Sequence, residues 1–152
     1  TMKWGSIMRG SGNSVSYAME DYLEAILNLS DRGGEARVTD IAAELDIAKA
    51  SVSQAISVLK SMGLANQEKY GPVTLTPLGR KSAESVRGRH QALLRFLTEV
   101  LHVDPVTAEK DACLIEHVVS PQTMKGLIEF LTASENPPKT GEKLGKKSTD
   151  SK

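Results

Sequence analysis

The sequence predicts a mainly α-helical chain in which an N-terminal winged helix-turn-helix is followed by a second helical segment. Three observations carry that prediction. Two short helix-periodic stretches are separated only by Leu45-Asp46-Ile47, and an alternating Val73-Thr74-Leu75-Thr76 run follows the turn residues Tyr70-Gly71-Pro72. Thr76-Pro77, Asp104-Pro105 and Ser120-Pro121 are each a capping residue followed by proline, the start signal of a helix.

Taken in order, Tyr22, Leu23, Ile26, Leu27 and Leu29 recur at helical spacing after the Gly/Ser-rich Gly10–Ser14 and stop at Gly33-Gly34, which gives helix one. Thr39 is expected to cap a short second helix carrying Ile41, Ala42 and Leu45, with Asp40 near its positive end. The third helix runs roughly from Ala48 to Met62, burying Val52, Ile56 and Leu59 and stopping at Gly63. Leu64 to Lys69 and Val73 to Thr76 then form a small hairpin, the wing. Three more helices follow, from Pro77 to about Leu101, from Pro105 through Val119 and from Pro121 through about Leu131. The expected domains are a flexible N-terminus over 1–14, a winged helix-turn-helix over 15–76, a helical domain over 77–133 and a disordered lysine-rich tail over 134–152.

With 39 % hydrophobic and 25 % charged residues among 152, the chain is long and apolar enough to bury a core, which argues against wholesale disorder. Its 19 Lys+Arg balance 19 Asp+Glu, so an argument for nucleic-acid binding has to rest on local placement. The stretch from Arg37 to Arg89 is mildly basic, and the acidity lies elsewhere. Cys113 is the single cysteine, so an intrachain disulfide framework is excluded and a reducing compartment is the simplest reading. No apolar run of signal-peptide length stands in residues 1–13; the expectation is a cytoplasmic chain with no membrane partner.

Two constellations carry chemistry. In a helix-turn-helix the second helix enters the major groove, so its exposed face needs short hydrogen-bonding groups, and Lys49, Ser51, Ser53 and Gln54 supply them. Lys69 and Tyr70 on the wing add to that candidate DNA-binding set, while Arg80 and Lys81 read equally well as phosphate contacts or as solvated charges. In the predicted fifth helix Cys113, Glu116 and His117 stand at i, i+3 and i+4, so a thiolate, a carboxylate and an imidazole share one face. Asp21 and Glu24 on helix one and His90 on the long helix complete six candidate ligands for one or two divalent ions. Taken singly, Cys113 could be a small buried hydrophobe, Asp21 and Glu24 a solvated face and His90 a surface residue; the combination Cys-x-x-Glu-His is harder to explain that way.

From about Ser16 to Ala133 the sequence resembles the diphtheria-toxin-repressor family of metal-dependent transcriptional regulators. The matching pieces are Met19-Glu20-Asp21-Tyr22-Leu23, Ser51-Val52-Ser53-Gln54, Leu75-Thr76-Pro77-Leu78-Gly79, Arg89-His90 and Ala112 through Ser120. The resemblance implies a homodimer, joined through a helical metal-binding and dimerisation domain after the wing, that represses metal-uptake genes when loaded with Mn(II) or Fe(II). Its partner would be a palindromic double-stranded DNA operator, and Co(II) or Zn(II) would bind in vitro. In length the chain resembles the short, manganese-responsive form, without the longer form's SH3-like domain. Asp21 and Glu24 match the manganese branch, whereas Cys113 resembles the iron branch; His90, Glu116 and His117 match both. The iron branch's second site would use a carboxylate and a histidine where this chain has Leu94 and Glu109.

The implied mechanism is that like charges on Asp21, Glu24, Cys113 and Glu116 hold helix one away from the later helices until a cation bridges them. Two readings from other classes stand beside it. One is a winged-helix regulator that senses an organic ligand or an oxidant through Cys113, and the other is a small metalloenzyme.

Overall fold

The structure, a computed structural model, describes residues 16–136; the expectations for 1–14 and for the tail beyond Asn136 lie outside the described residues. Helix α1 spans Tyr17–Asp31, and its Ser16 cap oxygen accepts the Met19 N–H at 3.4 Å. Its buried face is Tyr22, Leu23, Ala25, Ile26 and Leu27. Helix α2 spans Val38–Leu45 and starts after Arg37 rather than after Thr39. The difference comes from Asp40, whose carboxylate reaches back to accept the Arg37 backbone N–H at 3.3 Å, so the cap interaction is supplied from inside the first turn. Asp46, left-handed at φ 52°, ends α2, and α3 spans Lys49–Ser61.

Strands β1 (Ala65–Gln67) and β2 (Val73–Leu75) pair antiparallel, with Ala65 opposite Leu75. Ala36 joins the hairpin to the α1–α2 loop by accepting the Val73 N–H at 2.8 Å. Helix α4 spans Pro77–Arg95 and runs on into a π-helical turn over Phe96–Val100, close to the expected end near Leu101. Helix α5 spans Pro105–Ile115 and α6 spans Pro121–Glu135. The sequence reading carried α5 through Val119. Ser120 must be extended to cap α6 ahead of Pro121, so residues 116–119 are needed for the turn and the helix stops at Ile115. At the other end α6 continues past Leu131, because Leu131 is buried and no breaker follows before Asn136.

Thr76 locks the start of α4: its hydroxyl donates to the Gly63 carbonyl at 2.6 Å and accepts the Gly79 N–H at 3.0 Å. Gly79 is buried with its α-carbon against the Leu64 backbone, where a β-carbon would overlap the Leu64 carbonyl oxygen. Gly79→Ala is therefore expected to destabilise the reading module by about 1–3 kcal/mol. A thermal-unfolding curve identical to that of the parent protein would refute that packing argument.

Two cores result. One gathers α1, α2, α3 and the wing around Leu23, Ile26, Leu27, Ile41, Ile56 and Leu59, and reaches Ala83 on α4. The other gathers Leu93, Leu97, Ala108, Ala112 and Met124. Helix α4 belongs to both, and α1 packs along it. Residues at the junction of α1, α4 and α5 therefore lie between the reading module and the second helical unit.

Candidate metal centre

Helical geometry sets the donors. Asp21 projects from α1, His90 from α4, Glu109 and Cys113 stand one turn apart on α5, and Glu116 and His117 lie on the turn that follows it. Two groups of donors converge, Asp21 with Glu116 and His117, and His90 with Glu109 and Cys113; within each, the ligand atoms lie within 4.8 Å of one another. Glu116 joins them. One of its oxygens is 2.6 Å from His90 Nδ1 and the other 3.3 Å from His117 Nε2. At 2 % exposure it is the one buried charged side chain among the described residues, which marks this junction as the place where the fold accepts the cost of desolvating a carboxylate.

His90 Nε2 lies 3.0 Å from Glu109, and the Cys113 sulfur lies 3.9 Å from both Glu109 Oε1 and His90 Nδ1. His117 spans α1, with Nε2 at 2.8 Å from Asp21 and Nδ1 at 2.9 Å from Glu20. These short contacts set each imidazole between carboxylates, which favours its protonated form. The hydrogen bond to Glu116, with the charges of Glu116 and Glu109, raises the His90 pKa to about 9 against the effect of burial. For His117, burial pulls downward, but the hydrogen bond to Glu20 and the charges of Asp21 and Glu116 outweigh it and the net shift is upward.

The acids shift upward as well. Burial, then the like charge of Glu116, carries Glu24 to about 7, and burial raises Asp21 despite the neighbouring His117. Partial burial of the thiol, reinforced by the charges of Glu116 and Glu109, pushes Cys113 up to about 11, although the residue as a whole is exposed. Crowded carboxylates, two imidazoles and a thiol at these distances are a donor set able to take a divalent cation in exchange for protons.

The structure thus brings Asp21, His90, Cys113, Glu116 and His117 together. Glu24 feels the charges of Glu116, His90 and Asp21 but lies outside both convergent groups. Glu109 is the donor that the sequence reading did not include; its i−4 spacing from Cys113 was the available signal. His117 and an Arg89–Glu20 ion pair at 2.8 Å also tie α1 to the later elements.

Within the reading module Lys49, Ser51, Ser53 and Gln54 are all exposed on α3. Lys69 stacks over the Tyr70 ring at 5.5 Å at the wing tip, where Tyr70 is 89 % exposed. Arg80 is engaged by Asp31 and Glu84 and Arg87 by Asp31, so these two bind α4 to α1.

Comparison with known proteins matches residues 14–73 to the N-terminal DNA-binding domain of iron-dependent repressors and residues 76–145 to their metal-binding and dimerisation domain. The chain belongs to the diphtheria-toxin-repressor family. A relative within the family, transcriptional regulator MntR of Salmonella typhimurium, is 38 % identical over 112 residues, covering 74 % of this chain and 71 % of that one. The HTH-type transcriptional regulator MntR of Lysinibacillus sphaericus is 34 % identical over 127 residues, 84 % of this chain and 91 % of that one. Among solved structures, the manganese regulator SloR superposes with TM-score 0.68 at 28 % identity, covering 75 % of this chain. The chain spans about half that structure's length, 53 %. Within this diphtheria-toxin-repressor family member, the second match begins at Thr76, the residue that caps α4.

Proposed function

We propose that the protein is a metal-dependent DNA-binding transcriptional repressor that acts as a cytoplasmic homodimer on a palindromic operator. Asp21, Glu24, His90, Cys113, Glu116 and His117, joined by Glu109, would hold Mn(II) or Fe(II), and Lys49, Ser51, Ser53, Gln54, Lys69 and Tyr70 would contact DNA. The observation that supports this most is the bridge itself: donors from α1, in the reading module, meet donors from α4 and the turn after α5 around one buried carboxylate, Glu116. The donor set mixes carboxylate, imidazole and one thiolate, a combination suited to first-row divalent ions.

Asp21 on α1, His90 on α4 and Glu116 and His117 after α5 would hold a cation between the reading module and the second helical unit, where it would take the place of protons on the imidazoles and the thiol. In a dimer, that would set two reading helices at the spacing of successive major grooves, roughly 34–36 Å. No helix among the described residues is long and apolar enough to cross a membrane. Against a reactive-thiol sensor, a Cys113 pKa near 11 leaves the nucleophilic thiolate scarce at neutral pH.

The test is operator binding titrated anaerobically with Mn(II), Fe(II), Co(II) and Zn(II) beside an EDTA control. Operator affinity unchanged between metal and EDTA would overturn the proposal. The pH dependence has a definite sign. Metal must displace a proton from His90, which holds it up to about pH 9, and from Glu24, which holds it to about pH 7. Apparent metal affinity should therefore climb as pH rises from 6 to 9, roughly tenfold per unit for each proton released. A titration series in which affinity is flat over that window would contradict the protonation states described above.

A further inference from the structure

We infer that Glu20, clamped by Arg89, is a positioning carboxylate that orients His117 toward the ion, so that Arg89, Glu20 and His117 form one relay behind the metal centre. The inference rests on the metal-binding reading above and assigns roles to two residues outside its donor set. Glu20 and Asp21 are consecutive on α1 and point roughly 100° apart, which lets them take opposite edges of one imidazole: Glu20 at Nδ1, 2.9 Å, and Asp21 at Nε2, 2.8 Å. The two ring nitrogens diverge. Glu20 therefore sits behind the ring, while Asp21 and Glu116 stand in front of it.

A carboxylate behind an imidazole accepts the Nδ1 proton, leaves the Nε2 lone pair for a cation and fixes the plane of the ring. The Tyr17 ring packs beside that of His117, tilted by 37° with centroids 5.6 Å apart. The same arithmetic repeats on α4, where the consecutive pair Arg89 and His90 diverge, His90 toward Glu116 and Arg89 toward Glu20. Arg89 Nη2 meets the very oxygen, Glu20 Oε2, that faces His117. Its Nε is buried without a hydrogen-bond partner. A guanidinium kept there at that cost is not placed to satisfy its own donors; the contact it does make is the one that stops Glu20 from turning to the solvent of the adjoining groove.

The test is zinc binding by calorimetry together with nitrogen NMR of 15N-histidine protein. Zn(II) is diamagnetic, and the chain has three histidines, so the His117 signals are assigned by their loss in His117→Ala. Glu20→Ala should weaken zinc binding on the order of 10–100-fold, and Arg89→Ala in the same direction by less. Glu20→Gln, whose amide oxygen still accepts the Nδ1 proton, should recover part of the loss. In the zinc-loaded parent, His117 should carry its proton on Nδ1 and show a metal-shifted Nε2, a signature lost in Glu20→Ala. Adding Glu20→Ala to His117→Ala should cost nothing further. Parent-like zinc affinity and His117 signals in Glu20→Ala, or an equal loss with and without His117, would overturn the relay. His117 nitrogens that ignore zinc in the parent protein would instead overturn the metal reading beneath it.

Discussion

Alanine at Glu116 should abolish metal-stimulated operator binding while the metal-free protein still folds, and alanine at His117 should do the same. Glu116 belongs to the group with Asp21 and His117, 3.3 Å from His117, and contacts His90 of the other group at 2.6 Å, so its removal takes a ligand from one group and the hydrogen-bond partner of His90 from the other. Converting a population from mostly incompetent to mostly competent for DNA takes on the order of 5 kcal/mol of differential metal affinity. A site that has lost its bridging carboxylate cannot supply that. Glu116→Gln keeps the shape and removes the charge, and should fail in the same way. Circular dichroism in EDTA checks folding, and gel shifts over a metal series check function. Both alanine variants binding operator at the parent's metal concentration would show that the ion acts elsewhere.

The second large effect concerns which metal. Cys113→Glu should move the preference toward Mn(II) relative to Zn(II) and Co(II), on the order of tenfold or more, because it exchanges a soft donor for a hard one. The Cys113 sulfur faces His90 and Glu109 at 3.9 Å, so the exchange occurs inside one donor group and leaves Asp21 and His117 as they are. Displacing the proton of a thiol pushed up to about 11 costs every ion alike, so the ranking follows how strongly each ion binds thiolate. Competition titrations of the parent and the variant read the ranking directly, and an unchanged order would remove Cys113 from the selectivity argument.

Much of this was legible in the sequence because the signals were local. The three cap-proline pairs place the starts of α4, α5 and α6, and the i, i+3, i+4 spacing of Cys113, Glu116 and His117 predicts a common face. The misses have a common origin in tertiary context. The start of α2 depended on Asp40 reaching back to Arg37, and the end of α5 on the residues needed to turn into α6. Glu109 was legible as a neighbour of Cys113, but only the packing of α5 on α4 puts it 3.0 Å from His90. Glu20 lay within a matching segment without a role, since nothing in one chain's sequence says that α1 crosses the turn after α5 at His117. The opposite charges that face the α1 acids, Arg89 at Glu20 and His117 at Glu20 and Asp21, likewise come from elements distant in the chain.

Coupling between ion and DNA is reciprocal by thermodynamic necessity. The most direct measurement is therefore metal affinity of the intact protein with and without a saturating operator duplex. The account predicts that operator tightens metal binding by the same factor by which metal tightens operator binding. Metal affinity that is identical with and without the duplex would contradict it.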